Sequence, residues 1–508
     1  MAESALETET KYEASGDVVL PPLDGLPQVA STRADEERLA AQYWDTADLR
    51  LLRAGITLRR RTGGHDAGWH LKLPAGPASR LEIRLPSGRS GRVVPPELAD
   101  LVTARTRGAV LAPVATVRTT RQRIVLLDSA GEALAEVADD LVSARREPAP
   151  AAELSWREVE VELVAGDKRL LAAADRLLRQ HGLHRSDRSA KLQRVLGTGQ
   201  PPAEPAGSLT PATPAHEVVI SYLAGQAEAL LTMDPLVRRS RPDTVHKMRV
   251  STRRLRSTFR AFGSVLPREA TEHLSAELKW LGEVLGEARD GEVLAAHLQR
   301  QQDLTDVAQL LGPVQARIQA HFAGSRAAAA AAVLDALSSA RYVALLDELD
   351  ALIASPPRGP EASEPAGQVL LAAVRRSYSR TGRRLREAWP LPAGAARDAA
   401  LHEARKAAKR TRYAAEVAAP VLGKRARTFV RRITKVQSLL GDQQDTVIAR
   451  QLERRLGIAA HQAGENAFSY GLFYERDACM AGDYQEQALA AWQAASAPRF
   501  RRWLHGGS

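Results

Sequence analysis

The sequence predicts an α+β protein in which a strand-rich N-terminal domain precedes an all-α domain built from a duplicated unit. Short segments with alternating apolar and charged residues fill the first 200 positions, and long Ala/Leu/Arg-rich segments with helical periodicity fill the rest. A Pro/Gly/Ala-rich segment at 197–214 separates the two textures. Because 508 residues are too many for one ordinary core, we expect domains at 1–197 and 215–504, joined by a linker at 198–214.

The N-terminal segments alternate with a period of two, which is typical of β-strands whose two faces differ. The predicted strands are 7–12, 56–61, 69–73, 80–85, 121–128, 134–138 and 156–164. In the last of them Glu158, Glu160 and Glu162 share one face, because side chains two residues apart project together. We expect the apolar faces to pack against helices and the charged faces to line a wet cavity.

The mixture of charges on these faces indicates what such a cavity would bind. Acidic residues lie on at least two strands and basic residues on several others. Carboxylates can hold Mg²⁺ or Mn²⁺, and Arg and Lys bind phosphate oxygens, so the mixture suits a metal-bound polyphosphate. The alternative is an amphipathic sheet whose charged faces are solvated. Five strands with charged faces together disfavour this alternative.

The second half carries one charged motif twice. His246-x-x-Arg249-x-x-x-Arg253-Arg254-x-Arg256 recurs 156 residues later as His402-x-x-Arg405-x-x-x-Lys409-Arg410-x-Arg412. A second echo, Leu285-Gly286-Glu287-x-x-Asp290 against Leu440-Gly441-Asp442-x-x-Asp445, is displaced by 155 residues. Both echoes therefore belong to one duplicated helical unit, with copies at about 215–354 and 368–504.

The periodicity of this half predicts helices that include 216–232, 243–265, 269–287, 399–418 and 425–439, with a Pro-rich loop at 355–367 between the copies. On an α-helix the His and the basic residues at its +3, +7 and +10 positions fall within roughly an 80° arc, so each copy presents a basic stripe. We expect Asp290 and Asp445 to pair with these arginines.

Charge is concentrated in the same half. The first 200 residues carry 29 Lys and Arg against 28 Asp and Glu, and the remaining residues carry 42 against 32. This surplus favours a polyanionic partner. A nucleic-acid partner is disfavoured, because nucleic-acid binders commonly use stacking aromatic residues and only Tyr413 lies near a stripe. A membrane surface is disfavoured, because a membrane-surface helix needs bulky apolar side chains opposite its charges and residues 246–260 supply them only in part. A flexible inorganic polyphosphate fits better.

The histidines of the stripes have a second interpretation. His246 and His402 would then be structural, each donating to a neighbouring helix. Metal ligation by them is disfavoured, since neither copy carries a nearby Cys or second His at ligand spacing.

Cysteine use and the N-terminus bear on the compartment. The single cysteine, Cys479, excludes an internal disulfide and suits a reducing compartment. No secretory signal and no spanning apolar stretch is visible. We therefore expect a cytoplasmic protein, which polyphosphate binding would associate with polyphosphate granules.

The motifs resemble two known domain families. Glu7-Thr-Glu9-Thr-Lys11 resembles the ExExK motif of the CYTH superfamily, which includes inorganic triphosphatases, thiamine triphosphatases and class IV adenylyl cyclases. Further segments that resemble this family are YWDT at 43–46, LRRR at 58–61, WHLKL at 69–73, EVADD at 136–140, EVEVE at 158–162 and SAK at 189–191. The second half is similar to the CHAD domain in VHKMRVSTRRLR at 245–256 and LHEARKAAKRTRY at 401–413.

The CYTH resemblance implies a closed antiparallel β-barrel of the triphosphate-tunnel type with flanking helices and inward charged faces. It implies Mg²⁺ or Mn²⁺ as cofactor, with ligands from Glu7, Glu9, Asp139, Glu158, Glu160 and Glu162. The implied substrate-binding residues are Arg59, Arg61, Lys72, Arg84, Arg118, Arg121 and Lys191. Lys11 would lie beside the metal and orient or activate the attacking water.

The resemblances together imply hydrolysis of a short triphosphate, inorganic tripolyphosphate first, and polyphosphate binding by the helical domain. The polyphosphate-binding residues would be His246, Arg249, Arg253, Arg254, Arg256, His402, Arg405, Lys406, Lys409, Arg410 and Arg412. The alternatives are a non-catalytic polyphosphate-binding protein, a thiamine triphosphatase and an adenylyl cyclase, although no nucleoside pocket can be identified.

Overall fold

A computed structural model describes residues 3–15, 17–76, 79–88, 93–148, 152–186, 191–197 and 209–505. The chain forms two compact units, Met1–Glu204 and Pro205–Ser508. Residues 198–208 of the predicted linker, and Ser189 of the SAK segment, lie outside the described residues.

The first unit is an antiparallel barrel. Its strands are β1 (Glu3–Ala14), β2 (Ser31–Asp45), β3 (Thr57–Thr62), β4 (Gly68–Gly76), β5 (Ser79–Pro86), β6 (Ala112–Leu127), β7 (Ala133–Arg146), β8 (Leu154–Leu163) and β9 (His184–Arg185). They pair in the order β5-β4-β3-β2-β6-β7-β8-β1-β9, and β1 also pairs with β5. Eight strands thus close on themselves, as predicted, and β9 extends β1.

Helices cover the apolar outer faces of this barrel. They are α1 (Arg50–Arg53), α2 (Pro96–Thr106) and α3 (Lys168–Gln180), whereas α4 (Lys191–Leu196) packs against the inner face, with Leu192 and Leu196 beside Val142 and Ala144 of β7. Val159 and Val161 of β8 pack with Leu170 of α3, for example. Because neighbouring side chains on a strand point to opposite faces, burying the valines outside turns Glu158, Glu160 and Glu162 inward. The alternating pattern therefore positions the charged interior.

Alternation did not identify every strand. It missed β2 completely and the first half of β6. Residues 31–36 of β2 are exposed while they pair with residues 122–127 of β6, so nothing selects apolar side chains there. Because both faces of this part of β2 are exposed, it leaves no period-two signal.

The second unit is all helical, as predicted. Its helices are α5 (Ala215–Arg238), α6 (Thr244–Ala261), α7 (Arg268–Asp303), α8 (Val314–Ser338), α9 (Ala340–Ala354), α10 (Ala366–Ala388), α11 (Ala395–Gln462), α12 (Phe468–Ala495) and α13 (Pro498–Arg501), with short 3₁₀ turns at Val307–Gln309 and Arg502–His505. α11 breaks at Gly423, whose φ of 68° is left-handed, so it consists of two helices.

The duplicated motifs fall on corresponding helices. The first basic stripe lies on α6 and the first Leu-Gly echo on α7. Their second copies lie on the two halves of α11, before and after Gly423. The break at Gly423 therefore takes the place of the connection between α6 and α7.

Hydropathy gives little support for a membrane-spanning segment. Within the described residues no single helix combines the length and apolarity that crossing a bilayer requires. The pair α8 and α9, which bends by 55°, passes that test only when the two helices are taken together.

Candidate active site and basic surface

A charged cavity of about 320 Å³ lies in the barrel. Most of the predicted site residues of this unit line it: Glu7, Glu9, Lys11, Arg59, Arg61, Lys72, Arg84, Arg121, Glu160, Glu162 and Lys191. Glu158 lies next to this set and contacts Lys191, whereas Asp139 and Arg118 lie elsewhere. The inward faces of the strands and the start of α4 thus gather acidic and basic side chains in one space.

One wall of the cavity is acidic. Strand register places Glu9 of β1 opposite Glu162 of β8, and Glu162 opposite Glu136 of β7. Directly opposed residues have Cβ atoms about 5 Å apart, so three carboxylates form a row. Burial raises the pKa of Glu162, and Glu9 and Glu160 raise it further against the opposing effect of Lys72. Glu162 therefore carries negative charge that its neighbours do not neutralise, whereas Glu9 contacts Lys11 and Glu136 contacts Arg123.

Glu7 shows the same excess. Its side chain is 3% exposed, and Lys72 Nζ lies 2.5 Å from its Oε2. Burial nevertheless raises the pKa of Glu7 to about 7, because Glu82 and Glu162 counteract Lys72. A carboxyl group in this position is half protonated near neutral pH and would be ionised by an additional cation.

A second acidic cluster surrounds Lys191. Donor oxygens of Asp140, Glu158 and Glu160 lie within 4.8 Å of one another. Lys191 Nζ lies 2.9 Å from Asp140, 2.5 Å from Glu158 and 3.0 Å from Glu160. Burial alone would lower the pKa of Lys191, but these carboxylates raise it well above its ordinary value. Lys191 therefore stays charged and holds the three carboxylates in place.

Lys11 is also held as an ammonium. It contacts Glu160, and its Nζ lies 3.4 Å from Glu9. Burial would lower its pKa, but the negative charges of Glu160 and Glu9 outweigh burial and raise it. An ammonium with a raised pKa cannot accept a proton from water at neutral pH. Of the two roles expected for Lys11, this environment favours orienting a water over deprotonating it.

The opposite wall is basic. Arg59 Nη1 donates to the Tyr43 hydroxyl at 3.4 Å, and Arg61 pairs with Asp66. Among the described residues the Nε atoms of Arg59 and Arg61 have no hydrogen-bond partner although they are buried. Burial, together with the charges of Arg59 and Arg121, lowers the pKa of Arg61 to about 9. This wall would be stabilised by an anion.

Asp139 and Arg118 correct the sequence-based placement. Asp139 accepts two hydrogen bonds from Arg157, at 2.8 and 2.7 Å, on the outer face of the sheet. Asp140, one residue later, is fully buried and binds Arg121 inside. Because strand faces alternate, a shift of one residue exchanges inside for outside. Arg118 is exposed and does not line the cavity.

Sequence reasoning also left out residues that line the cavity. Arg80 and Glu82 share a face with Arg84, and Glu136 shares one with Asp140, so strand parity was the available signal. Glu82 accepts from the His70 ring at 2.9 Å and contacts Arg84. Burial lowers the pKa of His70 to about 4, so His70 is neutral at physiological pH.

In the helical unit the two echoes of each copy meet. The Arg249 guanidinium packs against Gly286, where an added Cβ would lie 3.1 Å from its Nη2. Arg405 packs in the same way against Gly441, at 3.4 Å. Arg249 Nη1 donates to Asp290 at 2.8 Å, as expected for this pair. The glycine of the second echo thus makes room for the first arginine of the stripe.

The stripes of both copies come together around Lys409. Burial, together with the charges of Arg405, Arg253 and Arg249, lowers the pKa of Lys409 to about 7 against the opposing effect of Asp445. Arg405 belongs to the same copy as Lys409, whereas Arg249 and Arg253 belong to the other, so the two copies share one basic surface. The Nε atoms of Arg253 and Arg405 have no hydrogen-bond partner among the described residues.

Other stripe residues have partners that brace the helices. Arg254 of α6 and Arg412 of α11 both bind Glu416, at 2.9 and 3.2 Å, and so cross-link the copies. Lys406 is exposed and pairs with Glu403 at 2.7 Å. The Nε of Arg256 is buried without a described partner, and burial and Arg260 lower the pKa of Arg410.

The two stripe histidines stay neutral. The His402 ring contacts Gln444 Oε1 at 2.8 Å, a contact that fits the structural alternative. Burial and neighbouring cations lower the pKa of both His246 and His402. Within the described residues neither histidine belongs to a group with metal-ligand geometry.

Comparison with known proteins places both units. A CYTH domain model matches residues 5–195 and a CHAD domain model matches 221–454. An uncharacterized protein of Mycobacterium tuberculosis is 38% identical over 96% of this chain and 95% of its own length. PptA from Streptomyces chartreusis has 21% identity and a TM-score of 0.47, covering 55% of this chain and all of PptA. The CHAD domain from the plant Ricinus communis has 27% identity and a TM-score of 0.41, covering 59% of this chain and 95% of that domain.

Proposed function

Because the chain belongs to the family of proteins that join an N-terminal CYTH domain to a C-terminal CHAD domain, we propose that its barrel hydrolyses a triphosphate with a divalent metal and that its helical domain binds inorganic polyphosphate. Inorganic tripolyphosphate is the proposed substrate. The proposal includes a cytoplasmic location and recruitment to polyphosphate granules.

The observation that carries the proposal is the two-walled cavity. An anion alone would be repelled by the carboxylate row of Glu9, Glu162 and Glu136. A metal ion alone would be repelled by the guanidinium groups of Arg59 and Arg61. A metal-bound triphosphate compensates both walls, since the metal meets the carboxylates and the phosphate oxygens meet the arginines.

The acidic wall fits a hard divalent cation. Its buried and half-buried carboxylates, with the raised pKa values of Glu7 and Glu162, are the oxygen ligands that Mg²⁺ and Mn²⁺ prefer. Glu7, Glu9, Glu160 and Glu162 would hold the ion. A bound ion would neutralise phosphate charge and favour ionisation of a coordinated water. Glu158 would act with Asp140 by holding Lys191 against the substrate.

The remaining residues bind and orient. Arg59, Arg61 and Arg121 would donate hydrogen bonds to phosphate oxygens. Negative charge grows on the leaving group as the terminal phosphoryl group is transferred to water, and these donors would stabilise it. Lys72, Arg84 and Lys191 would add charge around the chain. Lys11, which stays protonated, would donate to the attacking water and hold it in line.

The lining favours an inorganic substrate over the organic ones. Thiamine and nucleosides need an apolar or aromatic surface for the organic group. Among the described lining residues the only aromatic ring besides that of His65 is that of Tyr43, whose hydroxyl contacts Arg59. Tripolyphosphate needs charge alone.

Phosphate release by purified protein tests this proposal. Tripolyphosphate, thiamine triphosphate and ATP would each be supplied with Mg²⁺, Mn²⁺ or EDTA. We expect metal-dependent release that is fastest with tripolyphosphate. Arg121→Gln should reduce it strongly, and Arg118→Gln, an exposed arginine on the same strand, should not. Binding without release would favour the non-catalytic alternative, and cyclic AMP formation from ATP would favour a cyclase.

The helical proposal depends on the convergence at Lys409. A half-buried, partly deprotonated lysine surrounded by arginines from both copies is stabilised by a polyanion that supplies phosphate oxygens to all of them. Changing Arg249, Arg253 and Arg256 to Gln in one copy, and Arg405, Lys409 and Arg412 in the other, should weaken binding of long polyphosphate. Tighter binding of duplex DNA than of polyphosphate by the unmodified chain would overturn the proposal.

A further inference from the structure

A buried polar group in the helical unit lies outside both proposed sites. His297 of α7, Glu453 of α11 and Asp477 of α12 each offer one donor atom, and these atoms lie within 4.8 Å of one another. Glu453 and Asp477 are 0% exposed and His297 is 9% exposed. Apolar residues of the same three helices, including Leu298, Leu452 and Phe473, form the core beside them.

Two members of this group are fixed by hydrogen bonds. His297 Nε2 lies 2.6 Å from Asp477 Oδ2, and Gln301 Nε2 donates to Asp477 Oδ1 at 2.6 Å. Arg476 donates to the Gln301 side-chain oxygen at 3.0 Å, which turns the amide nitrogen toward Asp477. Gln301 and Arg476 lie outside the group, and outer hydrogen bonds that fix the orientation of potential ligands are typical of metal sites.

Glu453 is the exception. Neither of its carboxylate oxygens has a hydrogen-bond partner among the described residues, although the side chain is fully buried and lies beside His297 and Asp477. The neighbouring cation, Arg450, is directed to Asp398 at 3.5 Å and to the ring of Tyr474. A buried carboxylate without a partner is costly, so this position calls for a proton or a cation.

We propose that His297, Glu453 and Asp477 bind a divalent transition metal, with Zn²⁺ as the best match, and that this ion joins α7, α11 and α12. One imidazole nitrogen and two carboxylate oxygens form a mixed donor set that suits Zn²⁺. Mg²⁺ prefers oxygen ligands and keeps several waters, which fits a buried site containing an imidazole less well.

The competing occupant is a proton shared between Glu453 and Asp477. A proton would satisfy one carboxylate oxygen pair and would leave the imidazole with its present contact. A metal would engage all three side chains. The two occupants therefore differ in stoichiometric metal content and in the spectrum of a metal probe.

The test uses the full chain, stripped with EDTA and titrated with Zn²⁺ alone or Co²⁺ alone. The variant is Glu453→Gln, which keeps the volume and removes the charge. The matched control is His273→Gln, because His273 is an exposed histidine of the same helix that contacts Glu348. Wild type and control should bind one more equivalent of Zn²⁺ than Glu453→Gln, whatever the barrel also binds.

Two further readouts keep the test decisive if the variant folds poorly. Zn²⁺ should raise the melting temperature of the helical unit in the wild type, because a ligand that binds only the folded state stabilises it. Co²⁺-loaded wild type should show visible ligand-field bands beyond those of Co²⁺-loaded Glu453→Gln, in which only the barrel site remains. Equal Zn²⁺ content in wild type and Glu453→Gln, or wild type without these bands and without thermal stabilisation, would favour the proton and overturn the metal site.

Discussion

Substituting a single carboxylate of the barrel should reduce turnover sharply if the carboxylate lies on the inner face and should have little effect if it lies on the outer face. Glu9→Gln and Glu160→Gln each remove one interior charge at nearly constant volume. If these oxygens hold the metal, turnover of tripolyphosphate should fall by about 100-fold or more, comparable to the loss of one preorganised electrostatic contact. Phosphate release at saturating metal measures this, and circular dichroism checks the fold.

Asp139→Asn is the matched control for those variants, since it lies on the barrel but pairs with Arg157 on the outer face. It should retain turnover. Undiminished metal-dependent activity in both interior variants would remove Glu9 and Glu160 from the metal site. A loss in Asp139→Asn as large as theirs would mean that the outer face contributes.

Lys409 permits a prediction about protons. Its pKa in the folded chain is lowered from 10.5 to about 7, so between these values the unfolded chain binds more protons and stability should rise with pH. A bound polyanion favours the ammonium form, so polyphosphate binding at pH 8 should take up protons. Isothermal titration in buffers of different ionisation enthalpy measures the uptake.

Lys409→Met should abolish most of that uptake, whereas Lys406→Met, at an exposed lysine of the same helix, should leave it unchanged. Binding without proton uptake in the unmodified chain would place the polyanion away from Lys409.

The residues that line the sites were predictable where the alternation of strand faces or the period of a helix determined which way a side chain points. ETETK placed Glu7, Glu9 and Lys11 on one face, and all three line the cavity. Two adjacent acidic residues alone do not show which of them faces inward, so choosing Asp140 over Asp139 required its parity with Glu136, which lines the cavity. Glu453 and Asp477 gave no signal, because their proximity depends on how α11 and α12 pack.

At the scale of elements, the contact between a stripe and its echo depends on one helical glycine. Gly286→Ala would place a Cβ 3.1 Å from the Arg249 guanidinium, which can move but would then lose its position beside Asp290. The helix itself should gain slightly, because Ala is favoured over Gly by about 1 kcal/mol. We expect near-neutral stability and weaker polyphosphate binding, measured by thermal melting and titration.

Gly291→Ala on the same helix is the control, since nothing lies within 4 Å of its added Cβ. It should stabilise α7 by about 1 kcal/mol and leave binding unchanged. If both alanine variants bind polyphosphate equally well, the close contact between Arg249 and Gly286 has no part in binding.

Whether a segment forms a strand or a helix was predictable from the sequence where one face is buried and the other exposed. The residues at which an element begins and ends were not. The charged segment at 31–36 forms the exposed part of β2, and backbone pairing with β6 keeps it extended without an apolar face. In α11 the predicted segments 399–418 and 425–439 correspond to the two sides of Gly423. Periodicity located both helices but did not predict that the second one continues to residue 462. That extension packs against α12.

For the whole molecule, the uneven charge suggests a division of labour. The first 200 residues are nearly neutral, and the rest carry 42 basic against 32 acidic residues. The barrel has its own cores against α2 and α3, and every proposed ligand of its cavity precedes the linker. Residues 1–197 alone should therefore hydrolyse tripolyphosphate with the turnover number of the full chain.

Long polyphosphate should distinguish the two forms, because the helical domain would hold the chain near the barrel and raise its effective concentration. We expect a KM for long chains at least about tenfold lower in the full chain than in residues 1–197, with a difference that shrinks as salt screens the basic surface. Adding the separate helical domain in trans should not restore the low KM, since only covalent linkage supplies the effective concentration. A folded but inactive barrel would mean that the helical half contributes to the site, and equal KM values on long chains would mean that it serves another purpose than supplying substrate.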